Sequence, residues 1–407
     1  MRVAIDARKI HDFGVGTYIR NLLRHLALID QDTEYVLLCR EPDLGVSAQL
    51  GPNFRSVLEP SPNYSVREQI HVPWVLRRER PDVFHAPHYV LPAGVRCRSV
   101  VTIHDCIHLL FPQYVSRRVL SRRAAQLYAR TAMWLAARRS DRILTGSEAS
   151  KRDILRLFDV PADKIEVVYH AIDEHFGATP GDDRVAQVRE RYQLHHTFAL
   201  YVGSIRPHKN LLRLIEAFHQ LRQSGLDDLQ LLIIGDEISK LPALRRAVHR
   251  HKLHKHVRFL GYVADDTLAV LYRLASVFVF PSLYEGFGLP PLEAMASGTP
   301  VVTSNVSSLP EVAGDAAVFV DPYEVSSIVD GMRRVLTEPA LAESLRRKGL
   351  RRAREFSWER SVRRTLDVYR AVAGGAGPGK APPASEPEGV GEDAGESIGE
   401  DTEQGVR

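Results

Sequence analysis

The chain has 407 residues, 44% of them hydrophobic and 26% charged, with a formal net charge of +4. That length exceeds what one hydrophobic core supports, so two domains are expected, and no apolar run reaches the roughly 20 residues of a membrane helix. Three cysteines, Cys39, Cys97 and Cys106, lack any C-x-x-C spacing and argue against a disulfide framework or a zinc site. Met1-Arg2-Val3-Ala4-Ile5-Asp6 opens a strand directly, without a signal-peptide segment, so a reducing, cytoplasmic location is expected. Charge is uneven: Lys and Arg are in excess over residues 1–170, Asp and Glu over residues 373–407. A basic first half suits anionic lipid, a phosphate-linked acceptor or nucleic acid.

Residues 3–7 read as a short buried strand. Asp12-Phe13-Gly14-Val15-Gly16-Thr17-Tyr18 follows, then an amphipathic helix carrying Ile19, Leu22, Leu23 and Leu26. Strand, glycine loop and helix also begin a dinucleotide site, but the third glycine of G-x-G-x-x-G falls on Ile19 and the fingerprint fails. Asp30-Gln31-Asp32 matches a metal-binding D-x-D, yet it lies between a helix and the strand 35–39, opposite the carboxyl ends where such sheets bind ligands. A solvated turn without metal is expected there. Residues 66–80 are apolar and basic, and are broken at Pro73. Strands follow at 82–86 and 99–103, the second delivering His104-Asp105 to its carboxyl end. A histidine in that position either holds a ligand hydroxyl or is a satisfied core group. Residues 117–139 read as a helix with an apolar stripe of Leu120, Ala124, Leu127, Tyr128, Thr131, Trp134 and Leu135. Its other positions carry Arg117, Arg118, Arg122, Arg130, Arg138 and Arg139, a solvated face or one that meets lipid phosphates. A strand at 142–146 ends at Ser147-Glu148-Ala149-Ser150, which has the residues of a helix N-cap.

After a turn-rich linker at 177–183, a second α/β run begins with a strand at 198–202, Gly203, and a helix from 211. Lys209 sits just before that helix, the place for a phosphate-binding cation or for a plain solvated lysine. Further strands are expected at 229–234, ending in Gly235-Asp236, and at 257–260, 277–280, 301–303 and 317–320. Between Lys240 and His256, four histidines (His249, His251, His254, His256) have no neighbouring Cys, Asp or Glu, and no metal is expected. Beyond the strand at 277–280 the chain reads strand, Gly-rich loop, short helix, with Pro290-Pro291 in the first helical turn and Gly298 ending it. Glu285 in the loop and Glu293 in the first turn flank a helix N-terminus whose unpaired N–H groups favour an anion. Helices at 325–336, 341–355 and from Trp358 to about Val372 close the fold. Residues 373–407 are Gly/Pro/Glu-rich, hold no aromatic side chain and are expected to be disordered.

The run Glu285-Gly286-Phe287-Gly288-Leu289-Pro290-Pro291-Leu292-Glu293, continued to Val302, resembles the E-x7-E signature of retaining, family-4 glycosyltransferases of the GT-B fold. The stretch from Gly203 to Lys209-Asn210 and the segment Thr102-Ile103-His104-Asp105 are similar to further parts of that family, bacterial mannosyltransferases among them. The resemblance implies an α/β fold of two Rossmann-like domains facing across a cleft. Residues 1–172 would take the acceptor and 173–356 the nucleotide sugar, while a helix at 357–372 crosses back and an acidic tail fills 373–407. It implies that Glu285 lies by the donor sugar, Glu293 holds the ribose hydroxyls, Lys209 binds the diphosphate and His104 contacts the sugar. Gly14 and Gly16 would lie near the donor phosphates. N–H groups around Phe287, Gly288 and Leu289 would meet sugar and phosphate, Gly203 would free its turn, and Val263 would cradle the base through its backbone. Many members carry arginine where this chain has Ser204, and Arg206 is expected to supply that charge. The activity implied is transfer of a hexose, best matched by mannose from GDP-mannose, to a glycan or lipid-linked acceptor. It would need no metal or other cofactor and no nucleic acid, and would take place at or near the inner membrane face. A UDP-hexose donor, a GT-B-type sugar-nucleotide epimerase and a catalytically inactive accessory subunit are the other readings.

Overall fold

The computed structural model describes residues 1–12, 14–112, 119–235 and 242–375. Expectations on Phe13, Arg117, Arg118, Asp236, Lys240 and residues 376–407 lie outside the described residues, as do those on the side chains of Leu120, Arg122 and Ala124. The first half runs β1 (Arg2–Asp6), α1 (Val15–Ile29), β2 (Glu34–Cys39), β3 (Phe54–Leu58), α2 (Val66–Glu79), β4 (Val83–Ala86) and β5 (Arg98–Thr102). It continues α3 (Ile107–Leu110), α4 (Val119–Arg139), β6 (Arg142–Thr145), α5 (Glu148–Phe158) and β7 (Ile165–Val167). The second half begins α6 (Asp182–Arg191), β8 (Phe198–Val202), α7 (Leu211–Gln223), β9 (Gln230–Ile234), α8 (Pro242–Arg250), β10 (Val257–Gly261) and α9 (Asp265–Leu274). Then come β11 (Val277–Phe280), α10 (Leu289–Ala296), β12 (Val301–Ser304), α11 (Leu309–Ala313), β13 (Ala317–Val320), α12 (Val325–Thr337), α13 (Pro339–Arg354) and α14 (Trp358–Ala373).

Two all-parallel sheets result, ordered β3-β2-β1-β4-β5-β6-β7 and β10-β9-β8-β11-β12-β13. Their central strands are short unbroken apolar runs such as Val3-Ala4-Ile5 and Val277-Phe278-Val279-Phe280, because helices cover both faces and leave no solvated side to alternate with. The strand order reverses between β1 and β4 in one sheet and between β8 and β11 in the other. At such a point the outgoing loops part to opposite faces and open a crevice at the carboxyl ends of the strands. The loops that follow β8 and β11 hold Gly203–Lys209 and Pro281–Gly288, so topology alone brings the two most informative stretches of sequence together.

One face of the first sheet is covered by α1 and α14. Ile5, Ile19, Leu22 and Leu23 share a core there with Trp358, Val362, Leu366 and Tyr369, so the last helix crosses back onto the first domain. The other face is covered by α2, α4 and α5 through Val72, Val75, Met133, Ala136 and Ile154. The second sheet has one continuous core.

Two helices differ from the sequence reading. α2 runs unbroken through Pro73, which forfeits a single backbone hydrogen bond while buried Val72, Val75 and Leu76 hold both halves on the sheet. In α4 the buried side is the small set Ala129, Met133, Ala136 and Ala137, whereas Leu127 and Trp134 are 67% and 45% exposed. Of the expected apolar stripe, Leu127, Tyr128, Thr131 and Trp134 are exposed, as are Arg130 and Arg138, and Leu135 is half-buried. Small side chains let this helix lie close to the sheet, and weighting the pattern by hydrophobic bulk misplaced Leu127 and Trp134.

Candidate active site

Gly203 leaves β8 with φ 149°, a backbone conformation that side-chain-bearing residues rarely adopt, and its N–H donates to Ile234 O at 2.9 Å. The chain then makes a 3-10 turn, Pro207–Lys209, and Asn210 fastens it: the Asn210 amide donates to Pro281 O at 2.9 Å and to Pro322 O at 2.6 Å. Lys209 is thereby held against the loop after β11, where its ammonium donates to Glu285 Oε1 at 2.6 Å. Both side chains keep a small exposed fraction, 14% and 12%, at the cleft. The Glu285 backbone is fixed as well. Its N–H donates to Ser307 Oγ at 2.9 Å, and Ser308 Oγ donates to Glu285 O at 3.0 Å and to Phe287 O at 2.5 Å. Arg206, at the head of the same turn, is exposed.

α10 begins at Leu289 after Gly288, so Pro290 and Pro291 are its second and third residues and contribute no N–H. An anion at this end would meet N–H groups of Phe287 and Gly288 in the loop and of Leu289 at the helix start, since the next two residues lack one. Glu293 falls in the second turn, not the first. Its Oε2 accepts a hydrogen bond of 2.8 Å from the Tyr272 hydroxyl of α9. Burial pushes the Glu293 carboxyl up to about 7, with Asp265 and Asp173 adding repulsion and the Tyr272 hydrogen bond opposing them. Val263, just before α9, is buried in the core and only its backbone could face a ligand, while the adjoining Tyr262 is exposed.

Across the cleft, His104 follows β5. Its Nε2 lies 3.0 Å from Pro87 O, which only accepts, so Nε2 carries the hydrogen and Nδ1 faces His170 Nε2 at 3.4 Å. Burial lowers His104, and drives His85, His170 and His208 down to about 3, so these rings are neutral at physiological pH. Positive charge in the loop after β8 is therefore carried by Lys209 and the exposed Arg206. At the switch point of the first sheet, Asp6, Arg8 and Glu68 form a buried ionic cluster. Burial opposes ionisation of Asp6, yet the Arg8 guanidinium holds its carboxyl well below the usual carboxylate range. Gly14 begins α1 at φ 78°, and Gly16 packs so closely that a Cβ would come within 2.5 Å of Ile10 O.

The two halves touch through the site itself. A Cβ on Gly286 would stand 2.6 Å from His104 O, so only glycine lets this loop reach the first domain. Gly286 O accepts from Ser147 Oγ at 2.7 Å and from Ser150 Oγ at 3.1 Å. Tyr284 donates to Asp153 Oδ2 at 2.8 Å, and the Phe287 ring packs edge-on to His170 at 5.3 Å. Glu311 of α11 accepts from the N–H groups of Glu148 and Ala149 at 2.7 and 3.1 Å. Ser147 Oγ accepts from Ser150 N–H at 3.0 Å, so the first turn of α5 is capped partly by its own residue and partly by the other domain.

Glu285, Lys209, Gly203, Phe287, Gly288, Leu289 and His104 are thus gathered around one crevice, with Arg206, Glu293 and Val263 on the second-sheet side. Asp30 is engaged elsewhere, accepting from Tyr35 at 2.7 Å and from Asp32 N–H at 3.2 Å. His251 does meet a carboxylate, Glu216 of α7, at 3.9 Å, and among the described residues no cluster of three or more His, Cys, Asp or Glu has metal-holding geometry. Sequence reading passed over Tyr272 and Ser307 and gave Asn210 no supporting role, because each acts through a partner distant in the chain.

The sequence profile of Glycosyltransferase Family 4 matches residues 14–176, and that of Glycosyl transferases group 1 matches residues 188–352. The chain is 35% identical over 301 residues to the O-antigen chain mannosyltransferase B of Escherichia coli, covering 74% of this chain and 77% of that protein. It is 28% identical over 420 aligned residues to the MMP alpha-(1->4)-mannosyltransferase of Mycolicibacterium hassiacum, covering 92% of this chain and 99% of that one. Among solved structures, a sucrose-phosphate synthase from Thermosynechococcus elongatus shares the fold with a TM-score of 0.75 at 20% identity, covering 92% of this chain and 100% of that chain.

Proposed function

The chain belongs to the family-4 glycosyltransferases of the GT-B fold, and from that premise we propose that it transfers mannose from GDP-mannose to a glycan or lipid-linked acceptor, retaining configuration and forming an α-glycosidic bond. The observation that carries this reading is the Lys209–Glu285 pair at 2.6 Å, at the carboxyl ends of β8 and β11. A nucleotide sugar joins an anionic diphosphate to an anomeric carbon that turns cationic as the bond breaks. A cation and a carboxylate in contact, both on rigid supports, match those two developing charges. Lys209, with Arg206 nearby and the N–H groups of residues 287–289, takes the charge growing on the departing diphosphate. Glu285 steadies the sugar from its other side. Glu293 accepts from the ribose hydroxyls. The leaving phosphate takes the acceptor proton as the acceptor oxygen attacks on the same face, so no separate base is required. His104, neutral and partnered at both ring nitrogens, is placed to orient the sugar through contact, not to move a proton. Charge stabilisation of this kind by fixed protein groups supports a reaction independent of metal.

Mannosyl transfer is supported by the names of both mannosyltransferase relatives. Nucleotide-sugar screening by thermal shift tests the donor, because a ligand bound only by the folded state raises its melting temperature. GDP-mannose is expected to give the largest rise, and a larger rise with a UDP-hexose would replace the donor assignment. Transfer to an acceptor in place of simple sugar epimerisation separates this reading from an epimerase, and intact Lys209, Glu285 and Glu293 disfavour an inactive subunit.

Contact with an anionic membrane is supported by the outward faces of α2 and α4. Val66, Ile70 and Trp74 recur every fourth residue on the exposed side of α2 beside Arg67, Arg77 and Arg78, and Leu127 and Trp134 lie beside Arg130 and Arg138 on α4. No helix among the described residues is long and apolar enough to cross a membrane. That surface supports a peripheral position on an anionic membrane, and we place it at the inner face, where a lipid-linked acceptor would be met.

A further inference from the structure

Glu293 has no cation against it among the described ion pairs. From α9, Tyr272 donates to it and Asp265 repels it. Asp173, before the turn Glu174–Phe176, adds a second repulsion, and that turn itself carries Glu174 and His175. α13 packs on α10 where Gly349 meets Met295, and its Arg346 and Arg352 are engaged by Glu343 and by the carbonyls of Glu311 and Val312. Glu311 of α11 is bound to the start of α5, and β11 and β12 present no titratable side chain. Burial first, and then the two like charges, make this carboxyl hold its proton more tightly than usual, up to about 7, against the opposing hydrogen bond from Tyr272.

Tyr272 is built not to move. It is fully buried, its ring packs against Phe176 at 5.8 Å and Phe278 at 5.4 Å, and its carbonyl accepts from Thr299 Oγ1 at 2.6 Å. Its phenol is pushed well above the ordinary value by burial first and by Glu293 next, so it remains a donor at every relevant pH. One carboxylate oxygen is thus permanently occupied from the core side.

We propose that Tyr272 is the positioning residue of the nucleotide site: its hydroxyl pins Glu293 Oε2 so that Oε1 meets the ribose diol, and nucleotide binding releases the Glu293 proton to solvent. This rests on the reading that Glu293 holds ribose. Two diol O–H groups need acceptors, and a protonated carboxyl offers one fewer. With Glu293 titrating near 7, the ribose contribution to affinity is present above that pH and falls as pH drops through it, by about tenfold between pH 8 and pH 6. Removing the Tyr272 hydroxyl takes away an interaction that favours ionised Glu293, so the fall begins at higher pH.

The test is calorimetric titration of GDP and of 2′,3′-dideoxy-GDP at pH 6, 7 and 8, with the UDP pair in parallel, so that the affinity ratio cancels titration of the phosphate. In wild type the ratio favouring the ribose form is expected to grow about tenfold from pH 6 to 8, and binding at pH 7 in two buffers of different ionisation enthalpy should show a fractional proton released. In Tyr272→Phe the ratio should be lower at pH 7 and its rise displaced upward, with donor KM changed more than kcat. A Tyr272→Phe profile superimposable on wild type, while Glu293→Gln abolishes the ribose preference, overturns the role of Tyr272 and leaves the ribose reading standing. An undiminished ribose preference in Glu293→Gln overturns both. Should Tyr272→Phe fold poorly, the wild-type difference in proton release between GDP and 2′,3′-dideoxy-GDP at pH 7 decides, and no difference contradicts the proposal.

Discussion

Glu285 and Glu293 are both glutamates eight positions apart, and their surroundings differ. Glu285 is neutralised by Lys209, whereas Glu293 has only a phenol. Glu293→Gln is expected to weaken nucleotide binding by roughly 10- to 150-fold at pH 8, the range for a hydrogen bond to a charged group worth about 1.5–3 kcal/mol. Glu285→Gln should lower kcat and kcat/KM together while donor affinity changes little, because the sugar becomes cationic only in the transition state. Calorimetric Kd values set beside steady-state kinetics decide both, and the reverse pattern would exchange the roles. Lys209→Ala is expected to reduce kcat by about 10²–10³, as for removal of one preorganised charge-stabilising donor. These three residues were legible in the sequence because each lies in a compact motif with glycine and proline at fixed offsets. Tyr272 was not, since it reaches a partner 21 residues away and carries no local pattern, and Asn210 stood in a motif whose sequence does not show that it ties the loop to Pro281 and Pro322.

The elements show the same division between local and distant information. Central strands were readable as short apolar runs, whereas β3 and β7 went unnoticed: they are the edges of the first sheet, and most of their side chains are half-exposed. α6 and α9 were missed as well. α6 is strongly polar and buries Val188 alone, so its sequence looks like linker. α4 was found, but Leu127 and Trp134 of its apolar stripe are exposed, and Trp134 can be tested with Trp74 of α2. The double variant Trp74→Ala/Trp134→Ala should lower partitioning onto anionic vesicles by about tenfold or more, because each half-exposed indole would bury its remaining apolar surface in the interface. Turnover on a soluble acceptor serves as the control for folding. Unchanged sedimentation with vesicles of phosphatidylglycerol would remove these helices from any membrane role.

Across the whole molecule, the loop that holds Glu285 is also part of the contact between the two halves. The carbonyl of Gly286 and the ring of Phe287 dock on the first domain, and Glu311 completes the first turn of α5 from the other side. A capping carboxylate contributes about 1–2 kcal/mol, so Glu311→Ala should shift the balance between closed and open arrangements by roughly 5- to 30-fold. Small-angle scattering is expected to show a larger radius of gyration for that variant at an unchanged melting temperature of the second domain, and an identical scattering profile would show that the contact does not hold the domains together. Under the proposed function, this contact would bring Lys209 and Glu285 up to His104 and to an acceptor on the first domain, as same-face transfer requires. The most direct test of the account is therefore the anomeric configuration of the product. With GDP-mannose and a mannoside acceptor, the one-bond carbon–hydrogen coupling at the new anomeric centre should report an α linkage, lost in Lys209→Ala. A β-linked product, or undiminished transfer in that variant, would contradict it.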